Sequence, residues 1–367
     1  MNLNPASAYL ADSYVFKWQN QTFVSDLIFV IPIAICLGVG LAIRHPGAGI
    51  LAAAGAMTVG FGAKHIIDES RLLPMIFATV GIAFSTFVGM VAGHDNGLLV
   101  AMAALWAFGY GLLTERPDGY GWVGQQCVVM LLVGSAFPIA AKPAAVRVLL
   151  LGAGGAMQVL WSSVALRLFA QLCTHLLDMA RYMHEEEIAL RAAVEQIART
   201  VKRGRFVDAK LAYPMRLLVT VGLSTEIYRR LHFTSGYWIP MTALVVLKPG
   251  LADTASRAIA RTLGTVAGAW ALSLLVAHVA PSPVELAVIS VVFAWLSYAT
   301  LNVNYALFAV CITGYIVFLL SLAKIPGATI AERRAFCTAL GGAIALTVRL
   351  VVIQRRKSRI SEVNVEH

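Results

Sequence analysis

The stretch GYWIPMTALVVLKPGLADTASRAIARTLGTVAGAW, residues 236–270, places a Lys-Pro-Gly break, an aspartate and two arginines between two apolar runs. The first run, Tyr237 to Leu247, has only 11 residues. A helix of that length rises about 16 Å, whereas crossing the roughly 30 Å core of a bilayer takes about 20 residues. We therefore predict a short helix that cannot cross a membrane alone, followed by a polar break and a longer helix.

The rest of the chain has the composition of an integral membrane protein. Of its 367 residues, 59% are hydrophobic and 13% are charged, and the mean hydropathy is +0.76. A soluble domain has about 25% charged residues. We count twelve apolar runs, near residues 26–43, 48–62, 72–93, 97–114, 121–140, 144–171, 211–228, 236–247, 257–279, 283–301, 305–323 and 335–353. Twelve transmembrane helices are therefore expected.

The net charge of +10 predicts an orientation rather than nucleic-acid binding, because its basic residues cluster in loops. One group follows the sixth run (Arg181, Arg191, Arg199, Lys202, Arg203, Arg205, Lys210) and another follows the last (Arg355, Arg356, Lys357, Arg359). Both segments are predicted to be cytoplasmic, and so is the N-terminus. The remaining loop cations are assigned to the outer side: Arg229, Arg230, Lys324, Arg333 and Arg334.

The chain also matches itself at an offset of about 186 residues. In residues 49–84 a short apolar run, a polar break and Ser70-Arg71 precede a longer run, just as Ser256-Arg257 does in the second half. Six runs per half give both halves the same orientation. The predicted fold is an all-α polytopic membrane protein with two six-helix repeats, related by a pseudo-two-fold axis along the membrane normal.

This organisation divides the chain into five segments. They are an N-terminal interfacial segment (1–25), the first membrane repeat (26–171), a cytoplasmic helical linker (172–210), the second repeat (211–354) and a basic cytoplasmic tail (355–367). The linker is too short to be a catalytic domain with its own core. Asp26, after Ser25, is predicted to be the N-terminal cap of the first membrane helix.

The second-half break carries a candidate site. Arg257, Arg261, Gly264 and Gly268 are spaced i, i+4, i+7 and i+11, which places them on one helix face. The two glycines form GxxxG, a spacing that lets membrane helices approach closely. The arginine face is therefore expected to turn into the bundle.

Two local ion pairs follow from spacing. Asp253 lies four residues before Arg257, and Glu226 lies four residues before Arg230. Both arrangements favour a pair on a helix surface. If Asp253 neutralises Arg257, Lys248 and Arg261 remain without an obvious local partner.

Two interpretations of these cations stay open. They lie at helix ends and reach lipid phosphate, or they surround a cavity at the break and attract an anion such as a carboxylate. Lys64 and Arg71 hold the corresponding places in the first half, but Asp68 and Glu69 accompany them. The second half is therefore the better anion site.

Aromatic and amide side chains between the tenth and eleventh runs form a second candidate group. Asn304 and Tyr305 interrupt the runs, and a turn explains them. Tyr305, with the nearby Trp295 and Tyr298, is also placed to contact a planar ligand.

Several classes of function are excluded. No Walker motif is present, so the protein is not a pump with its own ATPase. The five cysteines have no CxxC pair and predict neither a disulfide framework nor a zinc site (Cys36, Cys127, Cys173, Cys311, Cys337). Without a metal-ligand spacing or a catalytic dyad, we expect no enzyme activity, no cofactor, and no nucleotide or nucleic acid as a partner.

At this point the second half resembles a known family. The residues that carry the resemblance, in order, are Tyr237-Trp238-Ile239-Pro240, Lys248-Pro249, Arg257, Arg261, Gly264-Thr265, Gly268 and Asn304-Tyr305. Over about 120 residues they resemble the second membrane module of the fusaric acid resistance proteins. These belong to the aromatic acid exporter group of bacterial inner-membrane efflux proteins, and plant aluminium-activated malate transporters are distantly similar.

The resemblance implies proton-driven export of aromatic or hydroxylated carboxylic acids across the bacterial inner membrane. Combined with the break, it gives the predicted substrate-binding residues: Lys248, Arg257, Arg261, Asp253, Tyr237, Trp238, Asn304, Tyr305, Lys64 and Arg71. One departure affects coupling, because many family members have an aspartate three residues after the arginine that opens the last run. Here Cys337 follows Arg334 at that spacing.

Partners and alternatives follow from these expectations. We expect a small organic acid as substrate and anionic lipid as a partner, with a second copy of the chain or a periplasmic adaptor protein as further partners. A passive organic-anion channel is the first alternative function. A non-transporting membrane scaffold is the second.

Overall fold

A computed structural model describes residues 9–116, 118–172, 211–233, 235–279, 281–325 and 327–365. The predicted linker, residues 172–210, lies outside this part of the chain apart from its first residue. The described residues form helices and connecting turns, with no β-strand among them. The all-α expectation is therefore confirmed.

Thirteen α-helices are numbered here in chain order. The short α1 (Ala11–Tyr14) precedes α2 (Phe23–Ala42), α3 (Pro46–Gly60), α4 (Leu72–Ala92), α5 (Asn96–Leu113), α6 (Asp118–Ser135) and α7 (Ala141–Leu172). The second half contains α8 (Ala212–Arg230), α9 (Trp238–Val246), α10 (Leu251–Val279), α11 (Pro283–Thr300), α12 (Tyr305–Leu322) and α13 (Gly327–Val365). A 3₁₀ turn, Phe61–Lys64, extends α3, and α13 continues through most of the predicted basic tail.

Eight helical segments in the described part are long and apolar enough to span a membrane. They are Phe23–Ala42, Pro46–Lys64, Leu72–Ala92, Asn96–Leu113, Ala141–Ala165, Pro283–Thr300, Tyr305–Leu322 and Glu332–Val352. Large apolar side chains point outward from several helices, with Val24, Val80, Leu149 and Trp270 each more than 60% exposed. An outer surface of this kind matches lipid rather than water, so the protein is a multi-pass membrane protein.

The four other long or intermediate helices fail these criteria for two different reasons. Helix α9 has 9 residues, and α6, α8 and α10 contain more polar or charged side chains. In α10 these include Asp253, Arg257 and Arg261, which belong to the candidate site. Length and apolarity alone therefore identify eight of the twelve predicted crossings.

Helix packing follows one scheme in both halves. Within the first half, α4 packs on α6 and α7, α3 packs on α2 and α7, and α5 packs on α6. Within the second, α10 packs on α12 and α13, α9 packs on α8 and α13, and α11 packs on α12. The halves meet where α2 contacts α11 and where α5 contacts α8. Each contact thus has a counterpart six helices away.

The N-terminal segment does not simply lie at an interface, because α1 packs against α10 and α12. The Lys17 amide donates to the Val303 carbonyl at 2.9 Å, and the Asn304 side-chain amide donates to the Val15 carbonyl at 3.0 Å. These bonds fix the start of the described chain beside the second-half break.

Asp26 is not the N-terminal cap predicted for the first membrane helix. Helix α2 begins at Phe23, so Asp26 lies within its first turn and is only 2% exposed. Its carboxylate accepts hydrogen bonds from the Thr22 hydroxyl at 2.5 Å and from the Lys64 ammonium at 2.8 Å. The correction arises because a partner 38 residues away outweighs the local capping pattern.

Candidate functional site

The break between α9 and α10 is held by hydrogen bonds to its own backbone. The Thr254 hydroxyl accepts from the Lys248 amide at 3.0 Å and lies 2.7 Å from the Gly250 carbonyl, to which it donates. Tyr213 donates from its hydroxyl to the Leu247 carbonyl at 3.0 Å. Backbone groups freed by the end of α9 therefore find partners, as irregular structure inside a membrane protein requires.

Helix α10 approaches α12 closely along its glycine face. A Cβ atom on Gly264 would lie 2.3 Å from the Ala306 carbonyl oxygen, and one on Gly268 would lie 3.1 Å from the Val310 Cα. Only glycine at position 264 permits this separation. The close approach brings Arg257 and Arg261, on the same face, to the first residue of α12.

That residue, Tyr305, contacts both arginines. Arg261 is 8% exposed and donates from Nη1 to the Tyr305 hydroxyl at 3.1 Å. The guanidinium carbon of Arg257 lies 3.7 Å from the centroid of the Tyr305 ring, a cation–π contact. One buried tyrosine thus places two positive charges on one side of α12.

Arg257 has a different acidic partner from the one expected. Its Nη1 lies 3.8 Å from Oδ2 of Asp12 in α1, and the Asp12 amide donates to the Ser256 hydroxyl at 2.8 Å. The Asp253 carboxylate lies against Gly250 instead, so close that a Cβ there would be 2.3 Å from its Oδ2. The predicted pairing of Asp253 with Arg257 is replaced by a contact that connects residues 245 positions apart.

Lys248 lies at the break itself and is half-buried. Burial, followed by repulsion from Arg257, lowers the pKa of Lys248 from 10.5 to about 8, although Asp12 and Asp253 oppose the shift. The positive field near the break therefore depends on pH near neutrality.

Arg334 is a site residue that the sequence assignment missed. We assigned it, with Arg333, to the outer side, but it is 1% exposed inside the bundle. Its guanidinium carbon lies 4.1 Å from the centroid of the Trp238 ring, and its charge is repelled by that of Arg261. Its place two turns into α13, whereas Arg333 is exposed, is the only sequence signal that would have separated the two.

Other predicted site residues have structural contacts. Tyr237 and Trp238, at the start of α9, are buried with ring centroids 4.9 Å apart. Asn304 caps α12, because its Oδ1 accepts from the Leu307 amide at 2.9 Å, while its amide holds Val15. The first two line the region of Arg334, whereas Asn304 anchors the N-terminal segment.

The first-half residues lie elsewhere. Lys64 donates to Asp26 and, at 2.5 Å, to the Tyr298 carbonyl of α11. Arg71 is exposed at the start of α4. The structure therefore does not bring Lys64 or Arg71 together with the second-half cations in one cluster.

Trp295 and Tyr298, which the sequence placed near a planar ligand, join the two halves instead. Trp295 donates from its indole nitrogen to the Phe23 carbonyl at 2.7 Å. Tyr298 is fully buried and donates from its hydroxyl to the Met57 carbonyl at 2.8 Å. Both side chains are occupied by α2 and α3.

The site chemistry is that of anion recognition. Lys248, Arg257, Arg261 and Arg334 supply guanidinium and ammonium donors, which bind carboxylates through charge-assisted hydrogen bonds. Among the described residues, no group of three or more His, Cys, Asp or Glu side chains forms a metal site, and the four cysteines there are free.

Comparison with known proteins supports the resemblance. Residues 223–348 match the profile of the family described as fusaric acid resistance protein-like. The matched segment covers about a third of the chain and contains α9 to α12 with all four cations of the site. No curated protein and no solved structure matches the chain.

Proposed function

We propose that this chain, whose second half carries a fusaric acid resistance protein-like module, is a secondary efflux transporter of small organic anions. The family match supports a membrane transporter, and aromatic or hydroxylated carboxylic acids are the proposed substrates. The observation that carries the anion assignment is the pair Arg257 and Arg261 on Tyr305, inside the bundle beside a broken helix. Buried cations at such a break mark substrate pathways in transporters.

The architecture we propose for transport is two six-helix repeats, α2–α7 and α8–α13, related by an axis along the membrane normal. Its support is the packing scheme, in which each contact within one half has a counterpart in the other. The contacts between halves are reciprocal as well, α2 with α11 and α8 with α5. A pair of such half-bundles can rock about their interface to expose the site alternately.

The driving force and location in the proposal come from the resemblance and the charge pattern. We place the chain in the bacterial inner membrane with both termini in the cytoplasm, and we assign the proton gradient as the energy source. The site needs anionic substrate, so hydroxylated aromatic acids that are ionised at neutral pH are the first choice.

The test measures efflux from proteoliposomes loaded with a panel of hydroxylated aromatic acids, with and without a proton gradient. We expect gradient-stimulated efflux for the wild type and at least a tenfold loss for Arg261→Ala. Arg333→Gln, a change at an exposed arginine, is the matched control and should transport normally.

Three results would contradict parts of the proposal. Equal transport by wild type and Arg261→Ala removes the site assignment. Voltage-driven current without a proton gradient in planar bilayers replaces the exporter with a channel. No movement of any acid rejects transport altogether and leaves a membrane scaffold as the function to test.

A further inference from the structure

Arg334 has hydrogen-bond donors that no described residue satisfies. The side chain is 1% exposed, and its Nε and Nη1 have no hydrogen-bond partner. A guanidinium group has five N–H donors, and buried donors in proteins are paired in the large majority of cases. The free donors of Arg334 therefore point to a ligand.

The charge balance around Arg334 also favours an anion. Arg261 is the nearest cation that its charge senses, and the two repel each other. In the described parts of the chain, no ion pair joins either arginine to a carboxylate, and Arg261 donates to the neutral hydroxyl of Tyr305. Two buried positive charges without a counter-charge are unfavourable, and a bound anion removes that penalty.

The geometry selects the shape of the anion. Trp238 covers one face of the Arg334 guanidinium, so a ligand approaches its N–H edge in the plane of the group. That edge matches the two oxygens of a carboxylate, which it binds through two parallel hydrogen bonds. Cys337, one turn further along α13, is neutral and leaves this edge without an internal acid.

We propose that Arg334 and Arg261 together form a carboxylate-binding subsite between α9, α10 and α13. The inference rests on the proposed function, because it names the atoms that hold the carboxylate of the transported anion. Arg334 is the principal ligand through its free edge. Arg261 supplies the second charge and is held in place by Tyr305.

The experiment measures binding of benzoate and acetate to the full chain, purified in detergent, by isothermal titration calorimetry. We expect Arg334→Gln to weaken benzoate binding at least tenfold and Arg333→Gln to change it less than twofold. Cys337→Asp places a carboxylate one turn from Arg334, where it competes with the ligand, so it should also weaken binding at least tenfold. Cys337→Asn, which has the same shape without the charge, is its control.

Four outcomes overturn the subsite. They are wild-type binding of neither acid, unchanged benzoate affinity in a folded Arg334→Gln, equal affinities for Cys337→Asp and Cys337→Asn, and displacement of benzoate by chloride at equal concentrations. If Arg334→Gln fails to fold, the Cys337 pair decides the question, because neither substitution removes the arginine.

The subsite and the proposed function fail in different ways. Benzoate binding that needs Arg334, together with no efflux from proteoliposomes, rejects transport and keeps the subsite. Efflux at the same rate by the wild type and by Arg334→Gln rejects the subsite and keeps transport.

Discussion

The breaks in the two halves contain similar residue patterns but differ in charge balance. In the first half, Lys64 is bonded to Asp26, to the Thr22 hydroxyl and to the Tyr298 carbonyl. In the second half, Arg261 bonds to the neutral Tyr305, and Arg334 retains two free donors. The same short-helix pattern therefore serves as a neutral joint in one half and as a cationic site in the other.

The backbones of the breaks differ as well. The first is a tight turn in which Ile67 and Ser70 exchange two backbone hydrogen bonds, with Asp68 and Glu69 at positive φ. Before it, α3 and its 3₁₀ extension make a 19-residue span, Pro46–Lys64. The second break follows a helix of 9 residues, about 14 Å long, and lies within the bundle. Shortening the helix is what places polar backbone beside the cations.

The comparison suggests how a duplicated unit diverges. Met75, fully buried, stands 186 residues before Arg261, and Ala78 stands 186 residues before Gly264. The first half thus has an apolar side chain where the second has a charge, and a methyl group where the second has close helix contact. Stability and binding are separated between the halves, and four changes test this separation.

The largest effect is expected for the neutral joint. Asp26→Asn leaves the Lys64 ammonium buried without its carboxylate and should cost about 3–5 kcal/mol of unfolding free energy. The check is chemical unfolding of the purified chain in detergent. Arg257→Gln, which breaks the longer and more exposed pair with Asp12, should cost about 1 kcal/mol or less.

A double variant separates charge from shape at this joint. Asp26→Asn combined with Lys64→Met removes both charges and should recover most of the lost stability. If Asp26→Asn alone costs less than about 1 kcal/mol, the joint is not what stabilises the first half.

The next effect concerns the close contact of α10 and α12. Gly264→Ala gives the second half the residue that the first half has at this position, but its Cβ meets the Ala306 carbonyl. We expect a loss of about 1–3 kcal/mol from overpacking, measured as a lower unfolding midpoint. Gly109→Ala in α5, where no atom lies within 4 Å, is the control and should be neutral or slightly stabilising. Equal stability of both variants would show that the contact can relax.

A smaller effect is expected from pH. Because the folded-state pKa of Lys248 is about 8, its charge is present below that pH and is lost as the pH rises through it. Binding of an acid that stays fully ionised should weaken roughly threefold to tenfold from pH 7 to 9. Stability changes in the opposite direction: the unfolded chain holds this proton up to about pH 10.5, so unfolding becomes less favourable between pH 8 and 10.5.

Lys248→Met tests whether this residue is responsible. Its benzoate affinity should be lower at pH 7 and flat up to pH 9, while Arg257, Asp12 and Asp253 keep their charges. A profile that remains as steep as in the wild type would assign the titration to another group.

The smallest effect concerns the N-terminal carboxylate. Asp12→Asn removes the acid that partly neutralises Arg257, a pair worth about 1 kcal/mol or less at its exposure. We expect anion affinity to rise by up to about fivefold at low salt, and the gain to shrink as salt screens the charges. The check is benzoate titration at two ionic strengths, and a lower affinity in Asp12→Asn would contradict the assignment.

Local spacing predicted what local neighbours decide. It gave the short helix at residues 238–246 and the cation-bearing face of α10. It also gave the ion pair of Glu226 and Arg230, four residues apart on α8. Each of these depends on residues within three helical turns, where periodicity fixes which side chains are neighbours.

Partners distant in the sequence were outside its reach. The contact of Asp12 with Arg257 and that of Lys64 with Asp26 depend on how helices pack, and no periodicity encodes them. Arg334 was assigned to a helix end because it follows a loop, whereas α13 begins early enough to bury it against Trp238. Charged residues near apolar runs were therefore recognisable, but their partners were not.

The bonds from the N-terminal segment to the second half also have a consequence for synthesis in the cell. Val15 and Asn304 are 289 residues apart, and ribosomes add about 5–20 residues per second. The segment therefore waits about 15–60 s after its own synthesis before its docking partner exists. Throughout that time Arg257 emerges and inserts without Asp12, so the last bond to form in this region is made by some of the first residues to leave the ribosome.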